Sequence, residues 1–213
     1  MNEDLLRFNE NQKYIVFDFE TCNANTNTLT NIAWQLGLLI CEGSKILKTE
    51  IFYLRWPNLP ISKGAARVTR FDWNVYKQKA VDPLPVWEYF NTYLFNPEYK
   101  IIGHNILGFD IYVYNIWCQL LGKKTDYSFV KRFIDTDALA RGLKNDIKYR
   151  KEEDFLIYQY KMGSIIKKGV KTNLAAMANH YKIEIDPDKM HDAGVDVTIN
   201  FAVWNKMKWE INV

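Results

Sequence analysis

The sequence predicts a mixed α/β fold, one sheet covered by helices. Three observations carry this. Three β-rich segments, residues 14–21, 32–41 and 46–55, follow one another with short polar turns between them, as in an antiparallel meander. Beyond them, helical periodicities alternate with two short apolar runs, giving five strands in all. The 213 residues, 48% hydrophobic and 15% aromatic, suffice for a single domain (1–213) with a sizeable core.

The first segment, Tyr14-Ile-Val-Phe-Asp-Phe-Glu-Thr21, alternates and is rich in β-formers. An Asn- and Thr-dense turn (23–31) leads to the second, and Glu42-Gly43-Ser44 separates it from the third. Pro57 and Pro60 break the pattern. Between 85 and 95, Val86, Tyr89, Phe90, Tyr93 and Leu94 recur at helical spacing. Residues 100–103 read as a short buried strand. A helix over 107–121 follows, with Val113, Ile116, Trp117, Leu120 and Leu121 on its apolar stripe. Residues 129–134 read as the fifth strand, and Asp135-Thr136 as the cap of a short helix ending at Gly142. The last two helices span 173–181 and 193–207.

The net charge of +3 excludes a chain that is basic throughout, but residues 141–171 hold nine Lys or Arg against four Asp or Glu. Tyr149, Phe155, Tyr158 and Tyr160 interleave with those cations. The composition suits a grip on a single strand, cations on phosphate and rings on bases; its alternative is a solvated hairpin that packs the tyrosines on the core. Cys22, Cys41 and Cys118 are odd in number and have no metal-cage or redox-pair spacing, so they read as free thiols of a reducing compartment. The start Met1-Asn-Glu-Asp4 is unlike a secretory signal, and no apolar run reaches the ~18 residues of a membrane span. A cytoplasmic protein without a membrane partner is expected.

On the first strand Asp18 and Glu20 share a face with Tyr14 and Val16, roughly 6.5 Å apart at Cα. Two carboxylates on a buried strand repel and resist desolvation unless the strand meets water there or a cation binds between them. Asp110 precedes Val113 and Trp117 by three and seven residues, which turns it toward the core side of its helix. His191 and Asp196 are five apart; on one helix they would diverge, and they converge only if His191 sits on the loop before it, with Asp192 as N-cap.

Asp18-x-Glu20, Gly103-His-Asn-x-x-Gly-Phe-Asp110 and His191-Asp-Ala-x-x-Asp196, in this order, resemble the DEDDh group of DnaQ-like 3′→5′ exonucleases. Weaker support comes from Ile134-Asp-Thr-x-Ala-Leu-Ala-Arg141 and Thr172-Asn-Leu-Ala. The resemblance implies an RNase H-like fold, a five-stranded mixed sheet with helices on both faces. It implies that Asp18, Glu20, Asp110 and Asp196 hold two divalent cations, Mg²⁺ or Mn²⁺, and that His191 is the general base. Only hard oxygen ligands suit such ions, and a neutral imidazole suits the base.

By resemblance, Phe19, Thr21 and Asn105 meet the 3′ nucleotide. Arg67, and in the basic arm Arg150, Lys151, Tyr158, Lys167 and Lys168, are candidate strand contacts. Asp135 reads as a helix cap, and His104 as a hydrogen-bonded turn residue. The implied activity is release of nucleoside 5′-monophosphates from single-stranded 3′ ends, DNA ahead of RNA, with a DNA polymerase as a candidate partner. An RNA-trimming enzyme and a catalytically silent nucleic-acid-binding module are the competing readings.

Overall fold

The computed structural model describes residues 5–186, 188 and 190–213. Strands β1 (Lys13–Thr21), β2 (Ala33–Glu42) and β3 (Lys45–Leu54) form the expected antiparallel meander. Helices α1 (Lys63–Val68) and α2 (Trp73–Lys79), strand β4 (Ala80–Val81) and helix α3 (Pro83–Leu94) come next. Strand β5 (Tyr99–Gly103), helix α4 (Asp110–Leu120), a 3₁₀ turn (Ser128–Arg132) and strand β6 (Phe133–Asp135) follow. Helices α5 (Thr136–Lys144), α6 (Phe155–Gly163), α7 (Leu174–His180) and α8 (Ala193–Met207) complete the chain.

One sheet runs β4-β3-β2-β1-β5-β6. β5 is parallel to β1 and β6 to β5, while β4 lies parallel to β3 at the far edge. The sheet therefore has six strands rather than five. The extra one is a two-residue edge strand, too short for an alternation to announce it. The expected strand at 129–134 is replaced by the 3₁₀ turn and a three-residue strand. Phe129, Val130 and Phe133, all buried, recur at helical spacing, and Arg132 spans back to the carbonyls of Asn96 (2.9 Å), Tyr99 (2.6 Å) and Leu94.

The alternation of β1 separates two cores. Ile15, Phe17 and Phe19 pack against Phe90 of α3 and Val113, Tyr114 and Trp117 of α4. Tyr14 and Val16, with Leu39 and Ile102, pack against Met177, Val197, Phe201 and Trp204 of α7 and α8. Helices thus cover both faces, and β2, flanked on both sides within the sheet, is buried except at its end.

Three helices were absent from the sequence reading. α1 and α2 start at Ser62 and Asp72, whose side chains accept N–H bonds from Ala65 and from Asn74 and Val75. α6 lies in the basic arm, capped by Asp154, and is tied down by buried Tyr158, Gln159 and Met162. No helix among the described residues is long and apolar enough to cross a membrane.

Candidate active site

The acids gather where the parallel strands β1 and β5 end. A cleft of about 640 Å³ is bordered there by Asp18, Glu20, Asp110, His191 and Asp196, with Asn105, Phe109 and Thr69 at its rim. Three separate elements supply the carboxylates. β1 presents Asp18 and Glu20 on the face opposite Phe17 and Phe19. The first turn of α4 supplies Asp110, only 2% exposed, whose Oδ1 accepts the Phe19 N–H at 3.2 Å. The first turn of α8 supplies Asp196.

Asp192 caps α8 through the N–H groups of Gly194 and Val195, and His191 sits just before it at φ +64°. That left-handed backbone, unusual for a residue with a Cβ, turns the histidine back over the helix it precedes. Its N–H donates to Asp196 Oδ2 at 3.3 Å. Ligand atoms of Glu20, His191 and Asp196 all lie within 4.8 Å of one another. The geometry required for His191 and Asp196 to converge is therefore met.

Sequence reasoning missed the seat of α8. Gln35, buried on β2 and directly opposite Glu20 in register, accepts the Ala193 N–H at 3.1 Å and donates to Asp192 Oδ2 at 3.3 Å. Gly37, opposite Asp18, has no Cβ because one would lie 2.2 Å from the Ala193 carbonyl oxygen. A glutamine inside the otherwise apolar run Ile32–Cys41 was the one signal available.

The electrostatics are one-sided. Burial, then the Asp196 and Asp192 charges, pushes Asp18 up to about 8. Burial and the Asp18 charge raise Glu20 and Asp110 well above the usual carboxylate range. Asp196 rises to about 6, mainly through burial. No salt bridge reaches any of the four among the described residues, and Asp196 Oδ1 is buried without a hydrogen-bond partner. Buried carboxylates without ion-pair partners are a costly arrangement that a divalent cation relieves, and a donor set of hard carboxylate oxygens fits such an ion.

The remaining candidates separate into two groups. Thr21 and Asn105 border the cleft; the Thr21 hydroxyl donates to the Asn23 carbonyl at 2.7 Å, and Asn105 is exposed at φ +60°. Phe19 borders it too, with its ring packed in the core against Phe17, Phe90 and Trp117. Arg67 is exposed on α1 and does not border the cleft.

Tyr158 is a correction. It is 4% exposed, its hydroxyl donates to the Ile147 carbonyl at 2.7 Å, and its ring packs on Tyr149, so it cannot stack on a base. Arg150 and Lys151 are exposed and lie away from this cleft. Lys151 lines a cavity with Lys100 and Phe133, where β5 and β6 begin, and Arg150 lines a neighbouring groove with Asp146 and Tyr158. Lys167 and Lys168 are exposed on the loop that returns past Arg141 to Thr172, whose backbone faces His104 at the cleft rim.

Asp135 caps α5 as expected. His104 bonds Thr136 Oγ1 through Nδ1 at 2.9 Å, and burial brings it down to about 4 despite the nearby Asp137 carboxylate, so it stays neutral.

Comparison with known proteins sharpens this picture. No family model and no curated protein sequence matches the chain. Solved structures do. Exonuclease I of E. coli in complex with a dT13 oligonucleotide superposes with a TM-score of 0.69 at 17% identity, over 92% of this chain and 41% of that one. The zinc-bound ExoI–ssDNA complex gives 0.69 at 16% identity over 93% of this chain, and the dA16 complex gives the same values. The fold is that of exonuclease I. It is the RNase H-like architecture anticipated from the motifs, and the chain spans 41% of the exonuclease I chains it matches.

Proposed function

We propose that the chain is a divalent-cation-dependent 3′→5′ exonuclease of single-stranded DNA, working as one domain in the cytoplasm and releasing nucleoside 5′-monophosphates. The observation that carries this is the convergence of four carboxylates, none in a salt bridge among the described residues, from three elements with an exposed histidine in one open cleft. That exonuclease I, of like fold, is seen with dT13 and dA16 oligonucleotides supports the substrate class. The 3′→5′ direction rests on the motif resemblance.

Asp18, Glu20, Asp110 and Asp196 would hold two cations, Mg²⁺ or Mn²⁺. Bound there, they supply a water acidified enough to attack phosphorus and positive charge against the developing oxyanions. His191, on the solvent side of the cleft, accepts the proton of the attacking water. The Asp192 cap and Gln35 hold the turn that aims it. Neutral His104 and the Asn105 turn shape the opposite rim, where the terminal nucleotide enters. Lys167 and Lys168, exposed on the loop that returns to Thr172, neutralise phosphates of the incoming strand.

The test is a degradation ladder on 5′-labelled single- and double-stranded DNA and RNA with Mg²⁺, Mn²⁺ or EDTA. Stepwise shortening of single-stranded DNA that EDTA abolishes is expected. Internal cuts, or intact substrate with every metal, would sink the reading; a clear preference for RNA would move it to an exoribonuclease.

A further inference from the structure

The sheet is polarised along its parallel strands. Where β1 and β5 end, carboxylates border the cleft. Where β5 and β6 begin, four cations, Lys100, Lys131, Arg132 and Lys151, line one cavity of about 360 Å³. No aspartate or glutamate lines that cavity among the described residues.

The ladder brings two of the cations together. Ile101 of β5 pairs with Phe133 of β6 in parallel register, so Lys100 and Arg132 each precede a paired residue and reach the same cavity. Arg132 is fixed by bonds to the carbonyls of Asn96 (2.9 Å), Tyr99 (2.6 Å) and Leu94, which accept its protons but bring no negative charge. None of the four cations is in an ion pair among the described residues. Val213 also lines the cavity; its oxygen accepts the Leu6 N–H at 2.8 Å and is likewise in no ion pair among them. Burial, then the Arg132 charge, lowers the half-buried Lys100 ammonium, and no carboxylate offsets them.

Like charges gathered in one cavity repel and lose hydration, and a bound anion relieves both costs. The walls narrow the class of anion. Phe133, Tyr149 and Phe155 line the same cavity, and the rings of Tyr149 and Phe155, 5.0 Å apart at their centres, are only partly buried. A cavity of this size takes one small molecule. A nucleic-acid strand fits less well, because the adjoining groove, which shares Tyr149, also holds Asp146 and Glu153 against its phosphates. We propose that this cavity is a second ligand site, for a nucleoside phosphate. The phosphate meets Lys100, Lys131 and Lys151, and the base lies against Tyr149 and Phe155. The site shares no lining residue with the cleft, so it stands apart from the exonuclease reading.

Isothermal titration calorimetry in buffer free of divalent cations tests this, since the acidic cleft repels phosphates there. dTMP should bind at least about tenfold tighter than inorganic phosphate or thymidine, because only dTMP engages both cations and rings. Its Kd should rise with salt. Lys131→Gln and Lys151→Gln, both at exposed positions, should each raise that Kd about 5-fold or more. Phe155→Leu, which keeps the side chain apolar, should raise the Kd of dTMP about 5-fold or more and leave that of phosphate as it was. Lys148→Gln, in the adjoining groove, should change neither. In Ca²⁺, the Kd of labelled dT12 should stay within about twofold in both lysine variants, because the strand's phosphates lie elsewhere. The proposal is wrong if dTMP fails to bind at millimolar concentration, or if inorganic phosphate binds as tightly. It is also wrong if the lysine variants weaken dT12 as much as dTMP, which would make the cavity part of a strand's path. The calorimetry decides the site whether or not the chain shortens DNA.

Discussion

Asp110 and Asp135 are equally buried, each 2% exposed, and both sit at the cleft end of the sheet, yet the protein treats them in opposite ways. Asp135, at the end of β6, accepts four backbone N–H groups, from Asn105, Leu107, Asp137 and Ala138. Asp110 accepts one from another element, and its nearest companions are other carboxylates. The contrast shows that burial of a charge does not by itself mark a reactive site. A carboxylate whose lone pairs are spent on the backbone organises the fold, and one left unspent is available to a ligand.

Breaking the unspent set should have the largest effect. Asp18→Ala or Asp196→Ala should lower turnover on the order of 10³-fold or more, since several kcal/mol of charge stabilisation depend on them. The metal-free variants should unfold at equal or higher denaturant than wild type, because a carboxyl crowded by its acidic neighbours is gone. More than a tenth of wild-type activity in either variant would remove that residue from the ligand set. His191→Ala should cost about 10²- to 10⁴-fold, with a rate that rises more steeply with pH as hydroxide replaces the lost base. An unchanged rate at neutral pH would place the proton acceptor elsewhere.

The other side of the comparison is a matter of stability. Asp135→Ala strands four N–H groups and should lower the free energy of unfolding by about 3 kcal/mol or more, read from urea midpoints. An effect below about 1 kcal/mol would mean that water satisfies those groups and that the cap is dispensable.

The basic arm separates in the same way. Neutralising Lys167 and Lys168 should flatten the plot of log K for DNA against log salt by nearly one unit per lost contact, and neutralising Arg150 and Lys151 should not. Equal slopes for the two pairs would erase the distinction between the near and far parts of the arm.

The smallest effect is the pH trend of the metal-free protein. Asp18 is pushed up to about 8 and Asp196 to about 6, so between roughly pH 4 and 8 the folded chain binds more protons than the unfolded one. Stability in EDTA should therefore be fullest near the low end of that window and fall as pH rises through it. Mg²⁺ should reverse the slope, because it binds the deprotonated form. A flat melting temperature in EDTA would show that the carboxylates are solvated in solution.

Much of this was legible in sequence because it is local. Alternation along β1 put Asp18 and Glu20 on one face, the offsets from Asp110 to Val113 and Trp117 turned it inward, and the five-residue gap to Asp196 put His191 on a loop. What escaped depends on distant chain segments. Gln35 matters only because α8 lands on β2, and nothing near residue 35 encodes that landing. In the arm, composition summed charges that α6 then separated: Lys151 lies with Lys100 where the parallel strands begin, and Lys167 on the loop that returns toward His104. The burial of Tyr158 was equally invisible to composition. The spacing of Tyr158 and Met162, one turn apart and both buried, held the answer once a helix was considered.

Gly37 has a bearing on motion. With main chain resting on main chain at Ala193, the separation of β2 from the start of α8 is set by hard backbone contact rather than by side chains that can change rotamer. The two acids riding on that contact, Asp196 from α8 and Asp18 opposite Gly37, should then fluctuate together, like neighbouring strands. Breathing of the cleft would fall to its other wall, the short capped helix α1 and the Thr69 turn, where no residue of α1 is buried. Amide exchange should accordingly be slow at Ala193 and Gly194 and fast across 63–69, so that the rim of the cleft moves while its carboxylates hold their places.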